Sequence, residues 1–258
     1  MGEKENRPNA SDDMRKMRIV GSIVGAVLLF ATVWYALKAW KYMVPSFTIA
    51  LILGALGFLI SLIALVRVRT NSTMKTMYLI SLIFLSLTVF VSSFSIPFSS
   101  TAKKNYSKQL AYLTRERYVP QFFPSSIPEN ASDYRLDFCS EDFRSSSYVM
   151  LEFSCDEKEL SPYAKMAKSK SILSPMTVEE ARAADLDAKI KAEIAGFIGV
   201  EINEDSKIQM KISFPENIDE HPNAKVYILR CSNNVDDLTT EAIILDEENN
   251  WICFSTII

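Results

Sequence analysis

MYLISLIFLSLTVFVSSFSIPF, residues Met77–Phe98, carries no formal charge and is the last apolar run before the chain turns polar. At 1.5 Å per residue, a helix of that length crosses the roughly 30 Å of hydrocarbon in a bilayer. Pro97 falls at its far end, where a missing backbone donor is tolerable. Working outward toward the N-terminus, Phe47–Val66 is a second uncharged run, stopped by Arg67 and Arg69, with Pro45 suited to the first turn of a helix. Ile19–Leu37 is a third run, entered through Arg15, Lys16 and Arg18 and left through Trp34, Tyr35, Trp40 and Tyr42, an interfacial aromatic belt. A secretory signal would have a shorter apolar core and a small-residue cleavage site, so this run reads as a retained span.

The organisation that follows is a polar cytoplasmic tail over 1–18 and a membrane region over 19–98 with spans at 19–37, 47–66 and 77–98. Its surroundings are the lipid bilayer. Gly21 and Gly25 lie four apart, as do Ala50 and Gly54, while Ser81, Ser86, Ser92 and Ser93 dot the third run. Small residues at that spacing let helices approach closely. No ionisable residue lies inside any span, which favours a plain three-helix bundle over a substrate path.

Charge is segregated along the chain. Residues 1–98 hold 10 Lys and Arg against 4 Asp and Glu, whereas residues 99–258 hold 18 against 27. So acidic a C-terminal part excludes nucleic acid as a partner, since phosphate binding needs clustered cations. Three spans put the chain ends on opposite sides of the membrane. With the tail inside, Lys4, Arg7, Arg15, Lys16, Arg18, Arg67, Arg69 and Lys75 are cytoplasmic. The inverse arrangement would put Lys38, Lys41, Lys103, Lys104, Lys108, Arg115 and Arg117 there, one fewer. The basic residues packed against the first span and the indifference of long terminal domains to charge favour a cytoplasmic N-terminus and an extracytoplasmic C-terminal domain.

After the third span, Tyr106, Leu110 and Leu113 recur at helical spacing among basic residues, predicting a juxtamembrane stalk helix over 99–118. The segment Phe122–Pro128 is apolar but holds two prolines, which suits an extended stretch clamped on a core. Alternation then predicts a strand with Tyr134, Leu136 and Phe138 inward, and a second with Val149, Leu151 and Phe153 inward, joined across Ser140–Ser147. Glu157–Ser171 is helical by composition, and Thr177-Val178-Glu179-Glu180 is a capping box opening a helix to Phe197, with Leu186, Ile190 and Ile194 on one face. Lys207–Ile212 and Ala224–Cys231 alternate as strands, and Thr240–Leu245 with Trp251–Ile258 form a closing hairpin. The fold class expected is three N-terminal transmembrane helices followed, over 119–258, by an α+β domain with a mainly antiparallel sheet.

The four cysteines, Cys139, Cys155, Cys231 and Cys253, all follow the last span. Two readings stand open: buried free thiols in a reducing cytoplasm, or disulfides in an oxidising compartment. If the two hairpins pair as drawn, Cys139 and Cys155 are roughly 23 Å apart and Cys231 and Cys253 roughly 16 Å, both beyond disulfide reach. What survives is a bond from Cys139 or Cys155 to Cys231 or Cys253 with the domain outside the membrane.

The only histidine, His221, stands in the polar loop Asp219-Glu220-His221-Pro222 with no identifiable nucleophile or companion ligands, and reads as a solvated loop residue. Asp246-Glu247-Glu248 lacks the spaced oxygens and glycine of a calcium loop and reads as an exposed hairpin turn. No phosphate loop, nucleophile elbow or zinc helix is present, so no catalytic, metal or cofactor site is expected.

The stretch Phe122-Phe123-Pro124-Ser125-Ser126-Ile127-Pro128-Glu129-Asn130-Ala131, following a membrane segment and leading into a Tyr/Phe strand, resembles small uncharacterised membrane-anchored proteins of Gram-positive bacteria. The resemblance implies a bacterial plasma membrane and an extracytoplasmic domain; such domains often lack cysteine, and this one departs from them there. The leading functional expectation is a non-enzymatic membrane-anchored domain that binds a protein partner or ligand. The alternatives are an enzyme or enzyme subunit acting on envelope material, and an accessory subunit whose spans pack on a transporter.

Overall fold

Inside hydrocarbon every backbone N–H and C=O must be paired within the protein, so the uncharged runs close into helices. In the computed structural model, which describes residues 10–116, 118, 122–140, 147–182, 188–199, 210–231 and 238–257, three helices are long and apolar enough to cross a membrane. They are α1 (Ala10–Tyr42), α2 (Pro45–Arg67) and α3 (Asn71–Ser92). They belong to the first of two compact units, Met1–Ile96 and Pro97–Ile258.

Lipid tails are as apolar as leucine, so these helices hold together by close approach rather than by hydrophobic exclusion. Gly57 of α2 shows how close: a Cβ added there would lie 2.8 Å from Phe84 Cβ of α3 and 3.0 Å from Leu28 Cδ2 of α1. Gly54 brings α2 within similar reach of Thr32, and the buried Ser61 hydroxyl donates to the Gly21 carbonyl at 3.3 Å. The small-residue spacing seen in the sequence therefore marks the real seam between α1 and α2. At the other end, Tyr35 and Ser92 share a hydrogen bond of 2.7 Å, and the Lys38 ammonium lies 4.9 to 5.7 Å from the rings of Trp34, Tyr35 and Phe47. Such a cation over aromatic faces suits the membrane interface.

Two boundaries differ from the sequence reading. Helix α1 begins well before Ile19, because Met14 and Met17 pack with Met74 and Tyr78 in a small cluster that orders the tail. The third helix ends at Ser92, and Phe98 is not part of a span: Phe98–Ser100 is strand β1 of the second unit. Pro97 blocks continuation of the helix, and Phe98 buries its ring 5.5 Å from that of Phe138.

The second unit is an α+β domain around one sheet of β1, β2 (Ser132–Cys139), β3 (Tyr148–Ser154), β4 (Met176–Thr177), β6 (Lys225–Cys231), β7 (Leu238–Asp246) and β8 (Trp251–Ile257). Their order is β1-β2-β3-β8-β7-β6-β4, antiparallel at every step, while β5 (Met210–Lys211) runs parallel beside the start of β7. The expected first and last hairpins are both present, with Leu136 opposite Leu151 and Asp246 opposite Trp251. Positions 207–209 of the expected Lys207–Ile212 strand, and 183–187 of the expected long helix, lie outside the described residues.

Helices pack on both sheet faces. One bears Leu136, Phe138, Val149, Leu151, Phe153 and Phe254. Helix α4 (Tyr106–Arg115) lies on it through Tyr106, whose ring is 6.2 Å from that of Tyr134, and α5 (Glu157–Lys170) through Tyr163, 5.6 Å from Phe254. The region expected as a stalk is thus part of the domain: Tyr106 and Leu113 are buried, because the helical stripe of apolar residues finds the sheet. Tyr106 also donates to the Pro124 carbonyl, and Lys103 reaches the carbonyls of Pro128 and Ala131 at 3.2 and 3.1 Å. These bonds clamp the Phe122–Pro128 segment, whose Phe123 packs on Phe254.

The other face is covered over β6 and β7 by α6 (Val178–Arg182) and α7 (Ala188–Ile198), with Val178, Ala181, Ile190 and Ile194 meeting Val226, Ile228 and Ile244. The capping box forms as expected: Thr177 Oγ1 accepts from the Glu180 N–H at 3.1 Å, and the Glu180 carboxylate accepts from the Thr177 N–H at 2.6 Å.

Of the two readings of the cysteines, the structure has the free thiols and no bond between the first hairpin and the later strands. Cys139, Cys155, Cys231 and Cys253 are free and buried. Strand order is the reason. Cys139 on β2 and Cys231 on β6 are separated by β3, β8 and β7, four spacings or about 19 Å. Cys155 stands opposite Asn250, three residues along β8 from Cys253, about 10 Å away, and no other pairing is closer than about that. Burial pushes the thiol of Cys231 up to about 12, and burial together with nearby carboxylates pushes Cys155 up to about 11 and Cys253 well up from the usual thiol range. Thiolate, the reactive form, is therefore scarce at neutral pH. The full chain in detergent is expected to resist maleimide under native conditions and to take up four equivalents on unfolding. A disulfide-linked peptide in non-reducing mapping would overturn this assignment.

Candidate functional site

Strand alternation gives β2 two characters. Tyr134, Leu136 and Phe138 face the α4–α5 side, so Arg135 and Asp137 face the other, where among the described residues α6 and α7 pack over β6 and β7 and no helix packs over β2 and β3. The result is a cleft of about 530 Å³, with Arg135, Asp137 and Met150 among its lining and Phe98, Tyr148, Phe214 and Glu216 around them. Ser255 holds the Phe214 loop in place by donating to the Ser213 carbonyl at 2.6 Å. The Arg182 guanidinium lies 5.3 Å from the centre of the Phe214 ring.

Arg135 is gripped from two sides. Its Nε is 2.7 Å from Asp137 Oδ2, and its Nη1 donates to Glu216 Oε2 at 3.0 Å. Directly across the strand pair from Arg135 stands Glu152, only 4% exposed. Burial raises the Glu152 carboxyl above the usual carboxylate range, against the pull of Asn217, Arg135 and Trp251, and the Asp137 charge adds to the rise. None of these closes an aligned bond on Glu152 Oε2, and Asn217 Oδ1 is likewise without a partner. A buried acceptor left open costs about 1–3 kcal/mol.

His221 is not the solvated loop residue its surroundings in sequence predict. Its ring stacks on Trp251 with centroids 4.0 Å apart and planes 13° off parallel, and Nδ1 lies 3.0 Å from Asp246 Oδ2. Asp246, expected in an exposed turn, is fully buried, while Glu247 and Glu248 beside it are exposed. Asn249 donates to Asp246 through its backbone N–H at 3.2 Å and its side chain at 2.7 Å, closing the β7–β8 turn. Burial alone would raise the Asp246 carboxyl, but the bonds from Asn249 and His221 outweigh it and hold the carboxyl below its ordinary value. Among the described residues the His221 side chain has no hydrogen-bond partner but Asp246, so the pair lacks the adjacent nucleophile that hydrolytic chemistry needs. It is a brace between the loop and the hairpin.

Among the described residues, no group of three or more His, Cys, Asp or Glu side chains is placed to hold a metal ion. Of the residues singled out in the sequence, the cysteines and His221 are packing groups. The cleft residues were missed, because Arg135 and Glu216 are 81 positions apart. The one local signal was the run of charges on the outward phase of β2.

The two perturbed carboxyls have opposite signs of pH dependence. Asp246, held low, stabilises the fold above its unfolded value near 3.9, and that contribution is lost as pH falls. Glu152, held high, binds its proton more tightly when folded, so its contribution is full at low pH and lost as pH rises past about 4.3. In thermal melts of the full chain between pH 3 and 8, Asp246→Asn is expected to lower stability at pH 7 by about 1–3 kcal/mol and to flatten the acid limb. Glu152→Gln is expected to raise stability at pH 7 by on the order of 1 kcal/mol, with the gain vanishing toward pH 4. Comparison of the chain with protein-family models, with curated proteins and with solved structures finds no match.

Proposed function

We propose that this chain is a plasma-membrane protein of a Gram-positive bacterium, with its N-terminus in the cytoplasm, whose extracytoplasmic domain is a binding module and not an enzyme. The observation that carries the reading is the cleft: a recess walled by Phe98, Tyr148 and Phe214, with an Arg135–Asp137–Glu216 ion network and, among the described residues, no helix over it. Pockets of a few hundred Å³ with apolar walls and a few convergent polar groups are where proteins take ligands or a partner's side chain. The His221–Asp246 pair, turned inward against Trp251, gives an enzymatic reading nothing to act with. The orientation is supported by the excess of basic residues flanking the proposed cytoplasmic ends of the helices. The clamped Phe122–Ala131 segment, the part that resembles Gram-positive membrane-anchored proteins, supports the source.

Topology is tested by placing single cysteines at Lys41 and Glu248, both exposed, in a chain whose four native thiols are shielded. An impermeant maleimide is expected to label both in intact cells, and labelling only after permeabilisation would reverse the orientation. A photo-crosslinker at Ser99 is expected to capture an adduct in intact cells that Arg135→Ala abolishes. Capture only from lipid-facing positions such as Phe30 or Val66 would favour the transporter accessory subunit instead, and capture from neither would sink the binding-module reading.

A further inference from the structure

We propose that α1 and α2 form a binding site for an anionic phospholipid, with the headgroup phosphate on Arg15 and Arg18 and an acyl chain in the groove below them. The site is separate from the cleft and needs only that the helices lie in a bilayer. Two cavities meet on one face of α1. The first, about 430 Å³, is lined by Met14, Arg15, Arg18, Ile19 and Ser22. The second, about 190 Å³, has Ser22, Gly25, Ala26 and Leu29 of α1 and Phe58 and Leu62 of α2 in its lining. Ser22 belongs to both, and positions 15, 18, 22, 26 and 29 recur every three or four residues, so the arginines and the groove share one line along the helix. The groove exists because Ser22, Gly25 and Ala26 project little side chain where α2 brings up Phe58 and Leu62.

Length and charge select the occupant. From Ile19, where the uncharged run begins, to Leu29 is about 15 Å of helix, and half of a roughly 30 Å hydrocarbon core is one leaflet. Arg18 and, one turn earlier, Arg15 stand just outside that run, at the depth where long cationic side chains meet lipid headgroups. Both are exposed, and among the described residues neither guanidinium is held in an ion pair. The same end of the bundle carries Lys16, Arg67, Arg69 and Lys75 against Asp12 and Asp13, so its field is positive. A soluble anion would meet the arginines and leave the groove empty. A zwitterionic lipid would fill the groove with a phosphate already balanced by its own cation. Another helix, about 10–12 Å wide, would lie across a cavity of 190 Å³ and not in it. An anionic lipid matches both parts.

The test is native mass spectrometry of the full chain in detergent, titrated with phosphatidylglycerol and with phosphatidylcholine of the same acyl chains. Phosphatidylglycerol is expected to bind about five- to tenfold more tightly, and Arg15→Gln with Arg18→Gln is expected to abolish that preference. Ala26→Phe fills the groove from an exposed position and is expected to weaken both lipids about threefold or more. Arg67→Gln with Arg69→Gln removes as much charge from the same end of the bundle, but neither residue lines either cavity, and this variant is expected to keep most of the preference. All five substituted positions are exposed, and thermal melts check that each variant keeps the fold. Equal loss in the two charge variants would reduce the effect to general surface charge and overturn the site. Equal binding of the two lipids, or binding unchanged in Ala26→Phe, would overturn it too. A two-chain mass that Ala26→Phe abolishes would give the groove to a second copy of the chain instead of a lipid.

Discussion

Strand β8 is buried along Trp251–Thr256 on both faces, and a strand in that position cannot lie at the edge or on the surface of anything. It has to be central, flanked by β3 and β7, with material packed above and below. Each later feature of the soluble domain answers that demand. Helices α4 and α5 and the Phe122–Pro128 segment cover one side, and α6 and α7 cover half of the other. The short strands β1 and β4 close the two ends of the sheet, where three- and two-residue strands present little unpaired edge. On the remaining quarter, over β2 and β3, Arg135 and Asp137 line the cleft.

That central placement explains what the sequence could and could not convey. Membrane spans are written locally, as uninterrupted apolar runs, and all three were readable, though α1 and α3 start earlier than their apolar runs and Pro97 moves Phe98 into a strand. The capping box at Thr177 and the closing hairpin are local too, set by positions three to six residues apart. The cysteine pairing failed because it depended on strand order, and alternation along one strand says nothing about which strand lies next to it. Alternation misled in a second way. It marks Asp137 and Glu152 as solvent-facing, yet both are under 10% exposed.

His221 and Asp246 show the same limit from the other side. Each sits in a polar stretch that reads as surface, and only the fold stacks one against Trp251 and turns the other beneath it. The pair joins a loop to a hairpin 25 residues away, and neither neighbourhood contains a hint of the other. A sequence rule that treats a lone histidine as solvated weighs composition, whereas the brace is a consequence of where Trp251 must go.

The polar quarter of the sheet is the part that stability alone does not account for. Replacing a buried ion pair by apolar residues of similar size is often neutral or stabilising, and a buried carboxyl with an open acceptor is worse than a pair. The same face shows the apolar solution a few ångströms away, where Ile244 and Val226 continue the row that begins with Arg135, Glu152 and Cys253. A chain that can fill that row with Ile and Val but places Arg135 and the buried Glu152 at its other end keeps a destabilising group beside the cleft. Proteins depart from their own packing rules in this way mainly at sites that do something other than hold the fold together, and the departure here lies beside the cleft.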